Sequence, residues 1–512
     1  MNKKNPILKS AVLLTLAGLL GKVIGFYNKI FLASLIGAEG IGIYQMVFPL
    51  YVLCVSLASS GIQTAISRFT AQKLSTGDAR GARNLLYTGL MMAVSLASLI
   101  ALLLYLFSEP ITRLVFQEPR CLLLLQMMAA AIPFEAIHSC ITGYYLGQKK
   151  AAFPAFSGLL EQLVRVLSIL LLSLILIQKG IAPSPLLAAA GLLIAEIFVS
   201  VFSITCITFS RSESSGPTAF RARDSFHPNL RLIGSMALPI SGNRLCLNLF
   251  QSAEAILIPL KLQTYYGNST AALSSYGILT GMVLPLILFP SAITGSLSLI
   301  LLPSISEAKA QKKDKKIAAT IQATLHFCLL MGIGFTAGFL LFGRQAGMLL
   351  YHNETVGDYV LALAWICPFL YLTTTLSGIL HGLGKSTAIF VHNMAGLLIR
   401  LFFVFCSIPT QGIRGYLFSL LLSQIVIALL GILTLRHCIP FSFSAVDSIL
   451  KPFFSCAIAT GILRFLQCLL PVLKSEQNWI AFLLSGGIWG CCFLLFGGRF
   501  FARGAGGGGT VL

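Results

Sequence analysis

The 512-residue chain is 56% hydrophobic and only 10% charged, with a mean hydropathy of +0.88. A soluble protein carries about 25% charged residues, so these proportions exclude a soluble globular protein and specify a polytopic membrane protein. The net charge of +20 could serve a nucleic-acid surface, but the basic residues sit in short connections between apolar runs. They are topology signals and contacts to anionic lipid, and no nucleic-acid partner is expected.

Lys3, Lys4 and Lys9 precede an apolar run that continues past Lys22 towards Ile36 without a small-residue cleavage site. It is expected to be a retained first span rather than a signal peptide. At about 20 apolar residues per crossing, the sequence predicts an all-α protein of fourteen spans. Their approximate limits are 10–36, 41–66, 85–107, 121–147, 155–177, 184–209, 231–260, 273–302, 319–343, 358–381, 387–407, 413–435, 449–470 and 478–498.

Alternate connections then orient the chain. One side collects Lys3, Lys4 and Lys9, Arg68 to Arg83, Lys149 and Lys150, Arg211 to Arg231, Lys309 to Lys316, Lys385, Arg436, Lys451, Arg499 and Arg503. The other side has seven basic residues: Arg113, Arg120, Lys179, Lys261, Arg344, Arg414 and Lys474. The positive-inside rule places both termini in the cytoplasm.

An internal repeat follows. "PFEAIHSCITGYYLGQKKAAF" from Pro133 returns as "PFLYLTTTLSGILHGLGKSTAIF" from Pro368, an offset of 235 that also pairs Gly143 with Gly378, Gly147 with Gly382 and Arg165 with Arg400. "GIYQMVFPLYVL" around Pro49 resembles "GILTGMVLPLILF" around Pro285. The unit is six helices, and an even number returns the chain to the same side. Two parallel, pseudo-symmetric lobes are therefore expected, at 1–210 and 231–440, with a basic linker at 211–230. Secondary transporters built from such repeats bind substrate between lobes and alternate access by rocking them. Two further helices, at 441–503, and a disordered Gly-rich tail, 504–512, complete the chain.

The polar groups inside spans carry the functional reading. Lys22 and Lys29 share one face of the first helix, about 10 Å apart along its axis. An uncompensated lysine at mid-bilayer costs about 2.5–3.5 kcal/mol on insertion scales. Two on one helix point to a large anion, and snorkelling to an interface is the competing account. The seventh helix carries Ser241, Arg244, Asn248 and Gln251 on one face, with Glu254 oblique to it; Arg244 is the expected counterpart of Lys22. On the fifth helix Glu161 and Arg165, beside Gln162, form an i, i+4 pair in the favourable order, functional or structural at even odds. Arg400 has Gly396 four residues back and is expected to be the freer cation. Glu135 and Glu196 lack a motif; each is a proton or cation site, or is merely packed. The 13 cysteines show no C-x-x-C pair and no zinc spacing, so neither a disulfide framework nor a metal site is expected. No nucleotide loop or catalytic triad pattern is present, and an enzyme is not expected.

The stretches "GKVIGFYNKIFLASLIGAEGIGIYQMVFPLY", "GIQTAISRFTAQK", "GYYLGQKKAAFPAFSGLLEQLVRV" and "AEAILIPLKLQTYYG" resemble the stage V sporulation protein B family. That family lies within the multidrug/oligosaccharidyl-lipid/polysaccharide flippase superfamily, alongside lipid II flippases and MATE exporters. The resemblance implies two lobes around a central cavity and movement of a lipid-linked saccharide through the bilayer. It makes Lys22, Lys29 and Arg244 candidates for the diphosphate of an undecaprenyl-linked peptidoglycan precursor, with Arg165 and Arg400 as further cations. Glu161, Gln162, Asn248, Gln251 and Glu254 are then coupling or structural groups. Relatives tend to carry Arg where this chain has Lys29, and a lysine keeps the charge but loses bidentate phosphate geometry. No cofactor is expected beyond a coupling ion, H⁺ or Na⁺; cell-wall synthesis enzymes are candidate partners. The alternatives are an ion-coupled exporter of small cations and a scaffold for cell-wall synthesis. The sign of the membrane-embedded charge favours the flippase.

Overall fold

The computed structural model describes residues 6–209, 223–470 and 478–505. The expected linker and Gly-rich tail fall largely outside these residues, as do Lys3, Lys4 and Lys474. No strand occurs among the described residues, and fourteen helices are long and apolar enough to cross a membrane.

The first of them, Ala17–Ser75, runs for 59 residues. At 1.5 Å per residue it is nearly three bilayer cores long, so it must be two crossings. The break is in α1 (Pro6–Val55), at Gly37, where φ is 70°. That left-handed backbone suits glycine. The connection expected over 37–40 is thus reduced to one residue. The eighth span, expected without interruption at 273–302, is instead broken. Helix α8 (Ser269–Gly277) runs into a π-turn at Ile278–Val283, and after Phe289 and Pro290 the chain resumes as α9 (Ser291–Ala310). Pro290 supplies no N–H to continue the ladder. Counting these pieces as one crossing keeps the total at fourteen.

The chain divides into two compact units, Met1–Gly277 and Ile278–Leu512. Beyond α1 the first unit holds α2 (Gly61–Ser75), α3 (Ala79–Leu106), α4 (Cys121–Gly147), α5 (Ala152–Gln178), α6 (Leu186–Phe209), α7 (Arg223–Tyr266) and α8. The first half of α1 lies along α5, and its second half packs on α7 and α8. Pro49 cannot donate to the carbonyl of Gln45 four residues back. The Tyr276 hydroxyl of α8 donates to that oxygen at 3.5 Å, and Ser252 of α7 donates to the Pro49 carbonyl at 2.9 Å.

The second unit holds α9, α10 (Asp314–Tyr351), α11 (Glu354–Leu363), α12 (Cys367–Gly382), α13 (Ser386–Cys406), α14 (Ile413–Cys438), α15 (Lys451–Leu469) and α16 (Trp479–Ala505). Its main core joins α9, α10, α12 and α14 through Ile305, Ile321, Ile379 and Leu435. A satellite core seats α15 and α16 on α10 through Cys456, Leu463, Trp489 and Phe493. Trp489 Nε1 donates to Thr460 Oγ1 at 3.1 Å, which satisfies the one polar atom of that ring.

The sequence repeat recurs as packing, in each unit separately. A Cβ on Gly143 of α4 would stand 2.6 Å from the Gln63 carbonyl oxygen of α2, and one on Gly147 would stand 2.5 Å from that of Ser67. In the second unit the same atoms on Gly378 and Gly382 of α12 would stand 2.6 and 2.8 Å from the carbonyl oxygens of Ser298 and Leu302 of α9. The contacted residues keep the 235-residue offset of the glycines. Helix meets helix at backbone distance in both places.

Candidate functional site

Three of the cations singled out in the sequence stand exposed in the first unit: Lys22 and Lys29 on α1, and Arg244 on α7. None of the three forms an ion pair among the described residues. Gly25, between the two lysines, serves packing: a Cβ there would lie 3.7 Å from Gln162 Oε1 of α5. On α7 the polar stripe grades from exposed Arg244 and Gln251, through half-buried Ser241 and Asn248, to buried Glu254, which is engaged with neighbours.

The other two cations are occupied. Arg400, expected to be the freer one, is half-buried and is engaged with a neighbour. Arg165 forms the expected i, i+4 pair, with Nη2 to Glu161 Oε1 at 2.5 Å, and also reaches Glu196 Oε1 of α6 at 3.3 Å. The i, i+4 spacing announced the first pair only. Bringing Glu196 to it takes the packing of α6 on α5, which linear spacing does not record.

A second polar cluster, unanticipated in the sequence, ties the unit at the end where α1 bends. Arg120, just before α4, donates from Nε to Glu118 Oε1 and from Nη1 to Glu39 Oε1, each at 2.7 Å. Ser269, at the start of α8, donates to Glu118 Oε2 at 2.9 Å. The Arg120 guanidinium, seconded by Ser269, holds the Glu118 carboxyl below its ordinary 4.5. A depressed carboxyl stabilises the fold above its unfolded value, and that contribution is lost as pH falls through the lower folded value. Glu118→Gln is expected to flatten the acid side of the thermal-stability profile of the detergent-solubilised protein. Because Arg120 is about half exposed, solvent screening limits Arg120→Ala to about 1 kcal/mol. Identical acid limbs for Glu118→Gln and the parent would refute the tie.

All 13 cysteines are free. Among the described residues no three His, Cys, Asp or Glu side chains converge as metal ligands do.

Fourteen apolar helices, packed as a repeated unit with basic side chains left accessible inside a span, define a polytopic membrane protein of the transporter and flippase class rather than an enzyme. Residues 7–309 match the family model described as polysaccharide biosynthesis protein, and the chain belongs to that family. Residues 248–406 also match the MatE model. The chain is 27% identical over 446 residues to stage V sporulation protein B of Bacillus subtilis (strain 168), covering 86% of this chain and 85% of that one. It is 22% identical to the lipid II flippase MurJ of the same organism, over 85% and 84% of the two chains. A solved structure titled lipid II flippase MurJ, inward closed conformation, superposes with a TM-score of 0.72 at 15% identity, over 96% of this chain and 99% of that one.

Proposed function

We propose that the protein carries an undecaprenyl-diphosphate-linked saccharide, a peptidoglycan precursor, across the plasma membrane by alternating access. The observation that carries this reading is the set of three accessible cations, Lys22, Lys29 and Arg244, with no anionic partner among the described residues. An anionic head group needs such charges along its path while its polyprenyl tail stays in the bilayer. The relatives named a sporulation protein and a lipid II flippase support a role in spore or cell-wall synthesis. Wall-synthesis enzymes are the partners that role calls for, and the loop charges favour cytoplasmic termini. The MatE match speaks for an ion-coupled exporter of small cations. Such an exporter needs accessible acids, whereas Glu196 and Glu254 of the first unit are buried, Glu161 is paired with Arg165, and the exposed spanning charges Lys22, Lys29 and Arg244 are basic.

Loss of one charge-assisted hydrogen bond costs about 1.5–3 kcal/mol, so each of Lys22→Ala, Lys29→Ala and Arg244→Ala is expected to weaken binding of the lipid-linked precursor about 10- to 100-fold. Surface exposure of the precursor should fall in cells that depend on this protein while its membrane level stays unchanged. Full precursor exposure in Lys22→Ala and Arg244→Ala cells, or cation efflux with no effect on the precursor, would overturn the assignment.

A further inference from the structure

We propose that a slot between α1, the end of α3 and residues 108–116 holds one acyl chain of a phospholipid, with that lipid's phosphate at Arg113. This inference does not depend on what the protein transports.

The wall of the slot begins where α3 ends, at Leu106. The chain continues through a short helix, Ser108–Ile111, and a π-turn, Thr112–Phe116. The hydroxyls of this segment are turned inward and satisfied. Ser108 and Thr112 are both buried. Ser108 Oγ donates to the Tyr105 carbonyl at 2.7 Å and accepts from Gln126 Nε2 of α4 at 2.9 Å. Thr112 Oγ1 donates to the Ser108 carbonyl at 2.7 Å. Pro110, Ile111, Leu114 and Val115 are left to face the slot, opposite the last two turns of α3. Leu104 and Cys54 of α1 form its floor, and the whole encloses about 500 Å³.

The occupant follows from that lining. A water would find no hydrogen-bond partner among hydrocarbon side chains and one thiol. An empty slot would forfeit the dispersion contacts of the side chains around it. Leu114 at the rim is 77% exposed and Cys54 at the floor 8%, so the slot opens outward and closes towards the helix packing. Leu99, Leu102 and Leu106 stand exposed on α3, and such a surface on a spanning helix meets lipid tails. The volume holds barely one turn of a helix about 10 Å across, which fits a hydrocarbon chain and not a second copy of the protein.

Charge selects the class of lipid. Helix α3 has 28 residues, more than the roughly 20 that cross a bilayer core, so Arg113 just beyond it stands at the level of the headgroups. Arg113 Nη2 pairs with Glu109 Oε1 at 2.5 Å, and the two side chains are 74% and 59% exposed. An exposed pair of this kind contributes little. Its guanidinium fork can therefore exchange the carboxylate for a phosphate, which it matches as well. Moving a chain from the bilayer into the slot gains no hydrophobic free energy, because lipid tails are as apolar as leucine. Retention rests on packing inside the slot and on the phosphate contact.

The test uses the full-length protein in phosphatidylglycerol vesicles that contain a trace of phosphatidylglycerol with a diazirine in one acyl chain. Photo-adducts are mapped by mass spectrometry. In the wild type they are expected to concentrate on residues 100–115 and around Cys54, severalfold above the exposed Leu167 and Leu171 of α5. Leu103→Trp, which fills the slot from its rim, should abolish that excess. Arg113→Ala should lower it about two- to fivefold, the factor an exposed charge contact carries. Doping with undecaprenyl phosphate should leave the adducts in place. Equal labelling of the slot and of α5 in the wild type overturns the proposal, whatever the variants do; a dimer in the same vesicles would then assign the slot to a second copy. An excess that survives in a folded Leu103→Trp protein overturns it too. Displacement of the adducts by undecaprenyl phosphate would give the slot to a polyprenyl chain and overturn the phospholipid assignment.

Discussion

Arg165→Ala is expected to unfold much of the protein or to lower its unfolding midpoint in detergent more than any other single charge removal. Removing one partner from a buried ion cluster costs about 3–5 kcal/mol, because the charge left behind has neither water nor a counter-ion. Here two acids, Glu161 and Glu196, lose their hydrogen-bonded cation together. Arg165→Ala combined with Glu161→Gln should recover part of the loss, since the stranded charge is removed with its partner. Exposed pairs provide the contrast. Arg344 and Asp358 of the second unit are 76% and 58% exposed, and Arg344→Ala should change the midpoint little. Equal midpoints for Arg165→Ala and Arg344→Ala would show that the cluster is not structural.

Alanine at Gly143 or at Gly378 should destabilise each unit by a similar amount, about 1–3 kcal/mol, the usual cost of forcing an extra carbon into a close-packed seam. Either Cβ would have to stand 2.6 Å from a backbone oxygen, and a backbone cannot swing aside as a side chain can. Gly158 on α5 has nothing within 4 Å of an added Cβ. Gly158→Ala should therefore be neutral or gain up to about 1 kcal/mol of helix propensity. Thermal unfolding followed by size-exclusion chromatography ranks the three. A Gly143→Ala protein as stable as Gly158→Ala would contradict the packing described for α2 and α4.

Much of the fold was legible because a bilayer forces long apolar runs to be helices. The glycines of the repeat were legible for a related reason, since their spacing has to match the close approach they permit. The single-residue turn at Gly37 and the π-turns at Ser56–Ser60 and Ile278–Val283 were not legible, because a run of apolar residues reads alike through α and π geometry. Of the site, the Glu161–Arg165 pair could be seen because one helix carries both members. The meeting of Arg165 with Glu196 could not, since it depends on how α5 and α6 rotate about their own axes. The Arg120 cluster escaped for the same reason: Glu39, Glu118 and Ser269 are distant in sequence, and no periodicity joins them. For Arg400 the absence of an acid four residues back did not make it free, since it is engaged in the fold.

The four repeat glycines touch main-chain oxygens, and a main-chain oxygen is the same whatever residue bears it. The residues that supply those oxygens differ at both corresponding positions, Gln63 against Ser298 and Ser67 against Leu302. Half of each contact is thus fixed to a single residue type and the other half is free to drift. A fold fastened in this way tolerates wholesale replacement of its side chains, and a superposition at 15% identity over nearly the whole chain is an outcome its chemistry permits.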